Sequence, residues 1–198
     1  MATPARDPHR LAPGDRAPVE RFRTVSGAVI DVAGSALPTH IQFRRFAGCP
    51  VCSLHLAGFA RRRAEIAAAV HEVVFFHSSA EELFPHVADL PFDIVADPGK
   101  AIYRAFGVEC GSRALLDRRA WPTIARSVAQ SLPDVVSGRR PAPSLNPAGG
   151  RYRLPADFLV LPDGRIEACK YGEHADDQWS VDDVLALVAW ITPRSARA

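Results

Sequence analysis

Several features that quickly assign a protein to a class are missing from this sequence. No apolar run reaches the roughly 18 residues that cross a bilayer, and the first eleven residues carry charges where a signal peptide needs an apolar stretch. Neither sign of charge dominates: 24 Lys and Arg stand against 22 Asp and Glu, and the basic residues are scattered. These absences argue against a membrane span, export or a nucleic-acid surface, and they predict a cytoplasmic protein.

Cysteine is also scarce, with four in 198 residues, while apolar residues make up 47% of the chain. That is enough apolar material for one packed core, so we expect the chain to fold without stabilising disulfide bonds. Cysteines in a reducing cytoplasm rarely form structural disulfides. Two cysteines close together therefore point to metal binding or to redox chemistry.

The order of strand and helix patterns in the first half predicts an α/β fold. Three short strand patterns lead directly into a pair of cysteines, and they span residues 19–25, 28–32 and 38–46. Helical spacing follows over residues 50–69, and the apolar run at 73–76 is typical of a strand covered on both faces. Ser79 begins a capping box and a further helix. This strand–helix–strand order predicts parallel strands.

The rest of the chain adds two helices and a hairpin. Asp97 is expected to cap a short helix that Gly107 ends. Two strands joined by Pro162-Asp163-Gly164 predict a β-hairpin. Ser180 caps a last helix, which we expect Pro193 to end. The sheet is therefore predicted to be mixed.

We expect one domain over residues 15–192. Residues 1–14 are Pro-rich and are expected to form a mobile arm, and residues 193–198 a short tail. Residues 108–150 are the least regular part, with a helix predicted only near Thr123–Ser131. A segment of this length usually has a function, and we expect it to cover a site or to form a dimer interface.

The cysteine pair, Cys49-Pro50-Val51-Cys52, lies where the third strand pattern gives way to a helix. A structural zinc site needs four ligands, usually from a second pair, and Cys110 and Cys169 stand alone. Two cysteines that only pack in a core are a second explanation. The third is redox chemistry, because unpaired N–H groups at a helix N-terminus stabilise the thiolate that attacks a disulfide or a peroxide. The position in a turn favours redox chemistry.

The residues around the pair fit this interpretation. Arg44 and Arg45 immediately precede it and would add positive potential. Adjacent side chains of a strand point to opposite faces, so we expect at most one of the two to support the thiols. Pro50 suits the first helical position, where its missing N–H costs no hydrogen bond.

A resemblance to a known family rests on three segments. The run Phe43-Arg44-Arg45-Phe46-Ala47-Gly48-Cys49-Pro50-Val51-Cys52 resembles the active-site segment of the peroxiredoxin-like branch of the alkyl hydroperoxide reductase/thiol-specific antioxidant family. Gly14-Asp15-Arg16-Ala17-Pro18 is similar to the usual opening of that family, and Leu90–Pro98 to its middle strand and helix start. The order of elements is similar from about Leu11 to Trp190.

The resemblance implies a thioredoxin-like fold. In that fold a mixed central sheet is flanked by helices, here with an N-terminal β extension and an insertion before the C-terminal hairpin. It also implies an antioxidant enzyme in which Cys49 and Cys52 cycle between dithiol and disulfide, without metal or organic cofactor. The implied substrate is a peroxide or a protein disulfide, the reductant is of the thioredoxin or glutathione type, and a homodimer is expected.

The chain departs from the family pattern Pro-x-x-x-Thr/Ser-x-x-Cys. Cys52 falls at the peroxidatic cysteine, but Arg45 replaces the proline and Cys49 replaces the hydroxyl residue. The family's supporting arginine has no clear counterpart, and Arg153 is only nearby. Two assignments therefore stay open: Cys52 attacks a peroxide, or Cys49 attacks a disulfide as in thioredoxin.

Pro155 supports the second assignment. The stretch from Pro155 to Gly164 is similar to the one following the cis-proline of thioredoxin-like reductases. The resemblance implies a cis peptide bond at Pro155. It also implies that this loop packs beside the pair and presents backbone groups to a substrate chain.

The other candidates are weaker. Cys110 is a candidate distant resolving cysteine but more simply a bystander, Cys169 is expected to be structural, and His55 to lie on the helix surface. The acidic group at 173–177 is expected to be a solvated loop, and Asp97-Pro98-Gly99-Lys100 lacks the glycines of a phosphate loop. The alternative function is a non-catalytic module whose cysteine pair binds a soft metal or senses redox state.

Overall fold

The computed structural model describes residues 10–108, 113–143, 147 and 150–195. The strands are β1 (Arg21–Arg23), β2 (Val29–Asp31), β3 (Thr39–Phe43), β4 (His71–Phe76), β5 (Asp93–Ala96), β6 (Ala156–Val160) and β7 (Ile166–Tyr171). The helices are α1 (Pro50–Arg61), α2 (Arg63–Ala69), α3 (Ala80–Val87), α4 (Ala101–Ala105), α5 (Arg113–Leu116), α6 (Trp121–Val136) and α7 (Val181–Ser195). Within the described residues, no helix has the length and apolar character needed to cross a bilayer.

The central sheet is mixed, as the sequence predicts. Its strand order is β5-β4-β3-β6-β7. β3, β4 and β5 run parallel, whereas β6 is antiparallel to both β3 and β7. β1 and β2 pair separately as the expected N-terminal extension. β3 therefore lies at the centre of the sheet, and the chain leaves it directly into the turn that carries the cysteine pair.

The two faces of β3 are buried against different surroundings. Ile41 and Phe43 face an aromatic core, in which the Phe43 ring stacks on Phe75 at 4.9 Å. His40, Gln42 and Arg44 face the other side, where helices α1, α2 and α7 cover the sheet. An alternating pattern is typical of a strand with one solvated face, yet all five of these side chains are fully buried.

Helix starts follow the predicted capping residues. Ser79 and Glu82 form the capping box of α3. The Asp97 carboxylate accepts hydrogen bonds from the backbone N–H groups of Ala101 and Ile102 at 3.0 and 2.8 Å. Asp97 thus caps α4 as expected, across an intervening turn that contains Lys100 in the left-handed conformation.

Two helices extend further than the sequence indicates. α6 begins at Trp121 and continues through Pro133 to Val136, so the predicted helix near Thr123–Ser131 was too short. α7 continues to Ser195, so the expectation that Pro193 ends it was wrong. The fixed φ of proline, about −65°, is itself a helical value, and each proline removes only one hydrogen bond from the helix.

Candidate active site

The turn before α1 places the first cysteine at the helix cap. Cys49 is the N-cap residue, and Pro50 occupies the first helical position as predicted. Gly48, just before it, has φ = +72°, and an added Cβ would lie 2.7 Å from Cε1 of His86. Only glycine combines that backbone conformation with so close a neighbour. Gly48 therefore allows His86 to pack against the start of the helix.

The sulfur of Cys49 accepts two hydrogen bonds. The backbone N–H of Cys52 donates to Sγ of Cys49 at 3.4 Å, and Nη2 of Arg45 donates to the same sulfur at 3.0 Å. Cys49 and Cys52 are only 1% and 3% exposed, and Arg45 is 3% exposed. A buried guanidinium next to two buried thiols favours one negative charge on the pair.

The two thiols differ in acidity. Burial raises the pKa of Cys49 well above its ordinary value, and the hydrogen bond to Cys52 adds to this. Burial also opposes ionisation of Cys52, but the hydrogen bond from Cys49 and the charge of Arg45 outweigh it and lower the pKa of Cys52 to about 6. The pair therefore favours a single negative charge near neutral pH, and these opposite shifts favour Cys52 over Cys49 as the sulfur that carries it.

Arg44 lies on the other side of the strand and has another role. Its Nη2 donates to Oδ1 of Asp157 at 2.7 Å and lies 3.1 Å from Nε2 of His55. It also donates through Nε to Gln42. Arg45 is the arginine in contact with a cysteine sulfur, but the charge of Arg44 also contributes, to a smaller extent, to the lowered pKa of Cys52.

Asp157 joins Arg44 to a larger group that we call the buried charge cluster, formed by His40, Arg44, Glu72 and Asp157. Nδ1 of His40 lies 2.9 Å from Glu72, and its Nε2 lies 3.3 Å from Asp157. Burial lowers the pKa of His40, but the two carboxylates outweigh it and raise that pKa to about 9. Burial opposes ionisation of Asp157, yet Arg44 and His40 hold its pKa far below the usual range. The cluster thus carries two charges of each sign.

Pro155 does not have the predicted conformation. Every peptide bond of the described residues is trans, so the cis bond expected at Pro155 was wrong. Its carbonyl accepts from the backbone N–H of Gly172 at 2.9 Å, and its ring occupies the space that a Cβ on Gly172 would need. These contacts extend the pairing of β6 with β7 by one residue. Since Ala156 pairs with Phe43, Pro155 still lies at the end of the sheet that carries the pair.

The structure describes two of the three remaining candidates from the sequence, His55 and Cys169. His55 was expected on the helix surface, but it faces the sheet, with its ring 4.9 Å from that of Phe59. Burial and the charge of Arg44 hold the pKa of His55 well below its ordinary value. Cys169 is partly buried and donates to the carbonyl of Leu11. Cys110 lies outside the described residues.

The acidic residues near 173–177 pair with neighbouring side chains. Glu173 contacts Arg119 at 2.9 Å, Asp177 contacts Lys170 at 2.7 Å, and Asp176 accepts from Thr123 at 2.6 Å. Throughout the described part of the chain, the structure contains no cluster of three His, Cys, Asp or Glu side chains arranged to hold a metal ion.

Replacing Arg45 with methionine removes the charge and keeps an apolar side chain. We expect the pKa of Cys52 to rise from about 6 to about 8.5, because the charge that helps the Cys49 hydrogen bond to outweigh burial is then lost. The thiolate fraction at pH 7 falls from roughly 90% to about 3%, so alkylation slows about 30-fold. The measurement is the rate of iodoacetamide labelling of the peptide holding both cysteines, followed by mass spectrometry from pH 5 to pH 9.

In the wild type this labelling rate should rise as the pH increases through about 6 and level off above it. In Arg45→Met it should still be rising at about pH 8. Arg104→Met, which alters an exposed arginine on α4, is the matched control. An unchanged midpoint in Arg45→Met would show that the guanidinium does not stabilise the thiolate.

Comparison with known proteins identifies the architecture. No protein-family model matches the sequence, and no curated protein matches it at a significant level. Among solved structures, peroxidoxin BcpB from Mycobacterium tuberculosis is 16% identical with a TM-score of 0.63, covering 92% of this chain and 99% of that one. The chain has a peroxiredoxin fold. The thioredoxin-like fold predicted from the sequence is therefore confirmed.

Two further structures show how widely this peroxiredoxin fold is shared. A peroxiredoxin-like protein from Aquifex aeolicus is 16% identical, with a TM-score of 0.60 over 92% of this chain and 88% of that one. A putative thiol:disulfide interchange protein DsbE from Chlorobium tepidum is also 16% identical, with a TM-score of 0.54 over 92% of this chain and 97% of that one. The same architecture thus occurs in proteins named for different thiol chemistries.

Several residues around the site on this peroxiredoxin fold escaped the sequence analysis. Tyr103 is fully buried, and its hydroxyl donates to the backbone carbonyls of Arg44 and Phe75, which fixes the end of β3 just before the cysteine turn. His86 packs on Gly48, and Asp157 anchors the buried charge cluster. The one available signal was a charged residue, Asp157, at the start of an apolar strand, where a buried partner is required.

Proposed function

We propose that the protein is a thiol-dependent oxidoreductase that reduces small hydroperoxides through a Cys49–Cys52 dithiol/disulfide cycle. The observation that carries the proposal is the placement of Arg45, whose guanidinium donates at 3.0 Å to the buried sulfur of Cys49, next to the buried Cys52, at the start of α1. A cation and a helix N-terminus together are the usual means of holding a thiolate at neutral pH. We place this cycle in the reducing cytoplasm.

The first half of the cycle consumes the peroxide. The Cys52 thiolate attacks one peroxide oxygen, so that an S–O bond forms and the O–O bond breaks. The departing oxygen takes a proton and leaves as an alcohol or as water, and Cys52 becomes a sulfenic acid. Cys49 then attacks the Cys52 sulfur as its thiol proton is lost, which forms the disulfide and releases water.

Burial of the pair favours a small oxidant over a protein disulfide. Neither sulfur is more than 3% exposed, and thiol–disulfide exchange needs close approach of three sulfur atoms. A peroxide needs room for only a few atoms. In the family pattern a hydroxyl residue occupies the position of Cys49, and we propose that Arg45 supplies the hydrogen-bond donor that this replacement removes.

The test is a titration of the reduced protein with hydrogen peroxide in the absence of any reductant. We expect one equivalent of peroxide to remove two free thiols of the four in the chain, and mass spectrometry to place the disulfide between Cys49 and Cys52. The double variant Cys49→Ser/Cys52→Ser is the matched control, because it keeps Cys110 and Cys169. Thiol loss no faster than that of free cysteine, or reduction of insulin disulfides without peroxide consumption, would contradict the proposal.

A further inference from the structure

A small pocket opens beside one cysteine of the pair. Its volume is about 130 Å³, and among the described residues its lining includes Cys49 but not Cys52. Gly48 and Ser53, near the start of α1, and His86 from α3 also line the pocket. A molecule in this pocket therefore meets Cys49 first.

The size of the pocket restricts what enters it. A volume of 130 Å³ corresponds to about four water molecules, which suits a thiol-bearing side chain and not a segment of folded protein. Cys49, which lines the pocket, is only 1% exposed. A cysteine on the flat surface of a protein partner would not reach this sulfur without opening the turn.

Charge restricts the occupant further. The rim carries two guanidinium groups, from Arg139 and Arg140, and one carboxylate, from Asp89. Arg139 is also paired with Asp134 at 3.0 Å, so Arg140 supplies most of the positive potential. The charge of Arg140 also reaches the pocket lining: together with burial, which is the larger cause, it lowers the pKa of His86. Such a rim favours a molecule with an excess of carboxylate.

We propose that this pocket admits a low-molecular-weight thiol carrying carboxylate groups, which reduces the Cys49–Cys52 disulfide by attack on Cys49. The proposal rests on the proposed function, since it supplies the reductant of the same cycle. The thiolate of the small molecule forms a bond to Sγ of Cys49, the Cys49–Cys52 bond breaks, and Cys52 leaves as a thiolate. A second molecule attacks the mixed disulfide, and it releases the small-molecule disulfide and the Cys49 thiolate, which takes up a proton.

The placement of Arg45 fits this direction of attack. Exchange is faster when the departing sulfur is stable as a thiolate, and Cys52 departs next to the Arg45 guanidinium and the first turn of α1. Attack on Cys52 would instead release Cys49, whose thiolate burial disfavours. The pocket gives access to Cys49, and Cys52 is the more stable leaving thiolate. Both observations therefore favour attack on Cys49.

The experiment uses full-length protein oxidised with diamide, so that the disulfide is installed without peroxide. Its reduction is followed with glutathione, which carries a net negative charge, and with neutral 2-mercaptoethanol at equal thiolate concentration. In Arg140→Glu we expect the ratio of the glutathione rate to the 2-mercaptoethanol rate to fall about tenfold at low salt, and the effect to shrink in high salt. Arg140→Lys should retain the wild-type ratio, as should Arg126→Glu on the exposed face of α6.

Tandem mass spectrometry of the quenched reaction should place the glutathione adduct on Cys49. An unchanged rate ratio in Arg140→Glu, an adduct on Cys52, or reduction by thioredoxin with no measurable reaction of glutathione would each overturn the proposal. Failure of the proposed function gives a different result, because hydrogen peroxide then does not oxidise Cys49 and Cys52. The diamide disulfide can still be formed and tested in that case.

Discussion

Replacing Cys52 with serine is expected to lower the rate constant for hydrogen peroxide reduction by about a thousandfold or more. In the proposed cycle the nucleophile is the Cys52 thiolate, and a serine hydroxyl does not ionise under the same conditions. The measurement is stopped-flow consumption of hydrogen peroxide by the reduced protein at pH 7. The large effect follows from removal of the thiol of the pair whose pKa is lowered.

Cys49→Ser is the matched variant for this prediction. It keeps the nucleophile and removes the resolving thiol, so the protein should consume one equivalent of peroxide and then stop as a sulfenic acid. Dimedone should trap that sulfenic acid on Cys52. If Cys49→Ser alone prevents peroxide consumption, Cys49 is the attacking sulfur and the division of roles proposed here is wrong.

The largest effect on stability is expected at the buried charge cluster. Replacing Asp157 with asparagine leaves Arg44 and His40 as buried cations without their shared carboxylate. Breaking a buried ion pair in this way costs about 3–5 kcal/mol of unfolding free energy. Urea unfolding at pH 7, followed by circular dichroism, measures the loss.

The chain contains a control with the same chemistry at the surface. Asp182 contacts Arg62 at 2.6 Å, much as Asp157 contacts Arg44 at 2.7 Å, but the Asp182 side chain is 81% exposed. Asp182→Asn should therefore cost no more than about 1 kcal/mol. Equal losses in Asp157→Asn and Asp182→Asn would show that the cluster does not behave as buried charge. The double variant Arg44→Met/Asp157→Leu should recover part of the loss, because no unpaired charge remains.

The parts of the fold that sequence could predict are those with local causes. The start of α1 at Pro50, the capping box at Ser79 and the cap at Asp97 depend on residues within one helical turn. The mixed sheet followed from the strand–helix–strand order together with the hairpin predicted at Pro162-Asp163-Gly164. The opposite placement of Arg44 and Arg45 followed from the alternation of a strand. Local rules of this kind do not need the tertiary structure.

The parts that failed depend on contacts between distant segments. Asp157 and Arg44 meet because β6 pairs with β3 in one particular register, which no local pattern specifies. Pro155 pairs with Gly172 on the other strand of the hairpin, a contact between residues 17 positions apart that no local pattern specifies. His86 reaches the cysteine turn only because α3 packs against it. The candidate site was therefore predictable as a cysteine pair but not as a pocket.

The hydrogen bond from Arg45 to Cys49 also bears on the electron affinity of the pair. In the disulfide neither sulfur carries a charge, so the buried guanidinium faces only neutral sulfur, and the N-cap of α1 becomes a weaker acceptor. Contacts that stabilise the dithiol over the disulfide raise the reduction potential of the couple. The arginine whose charge lowers the pKa of Cys52 is therefore also expected to raise the reduction potential of the pair and to favour its return to the dithiol.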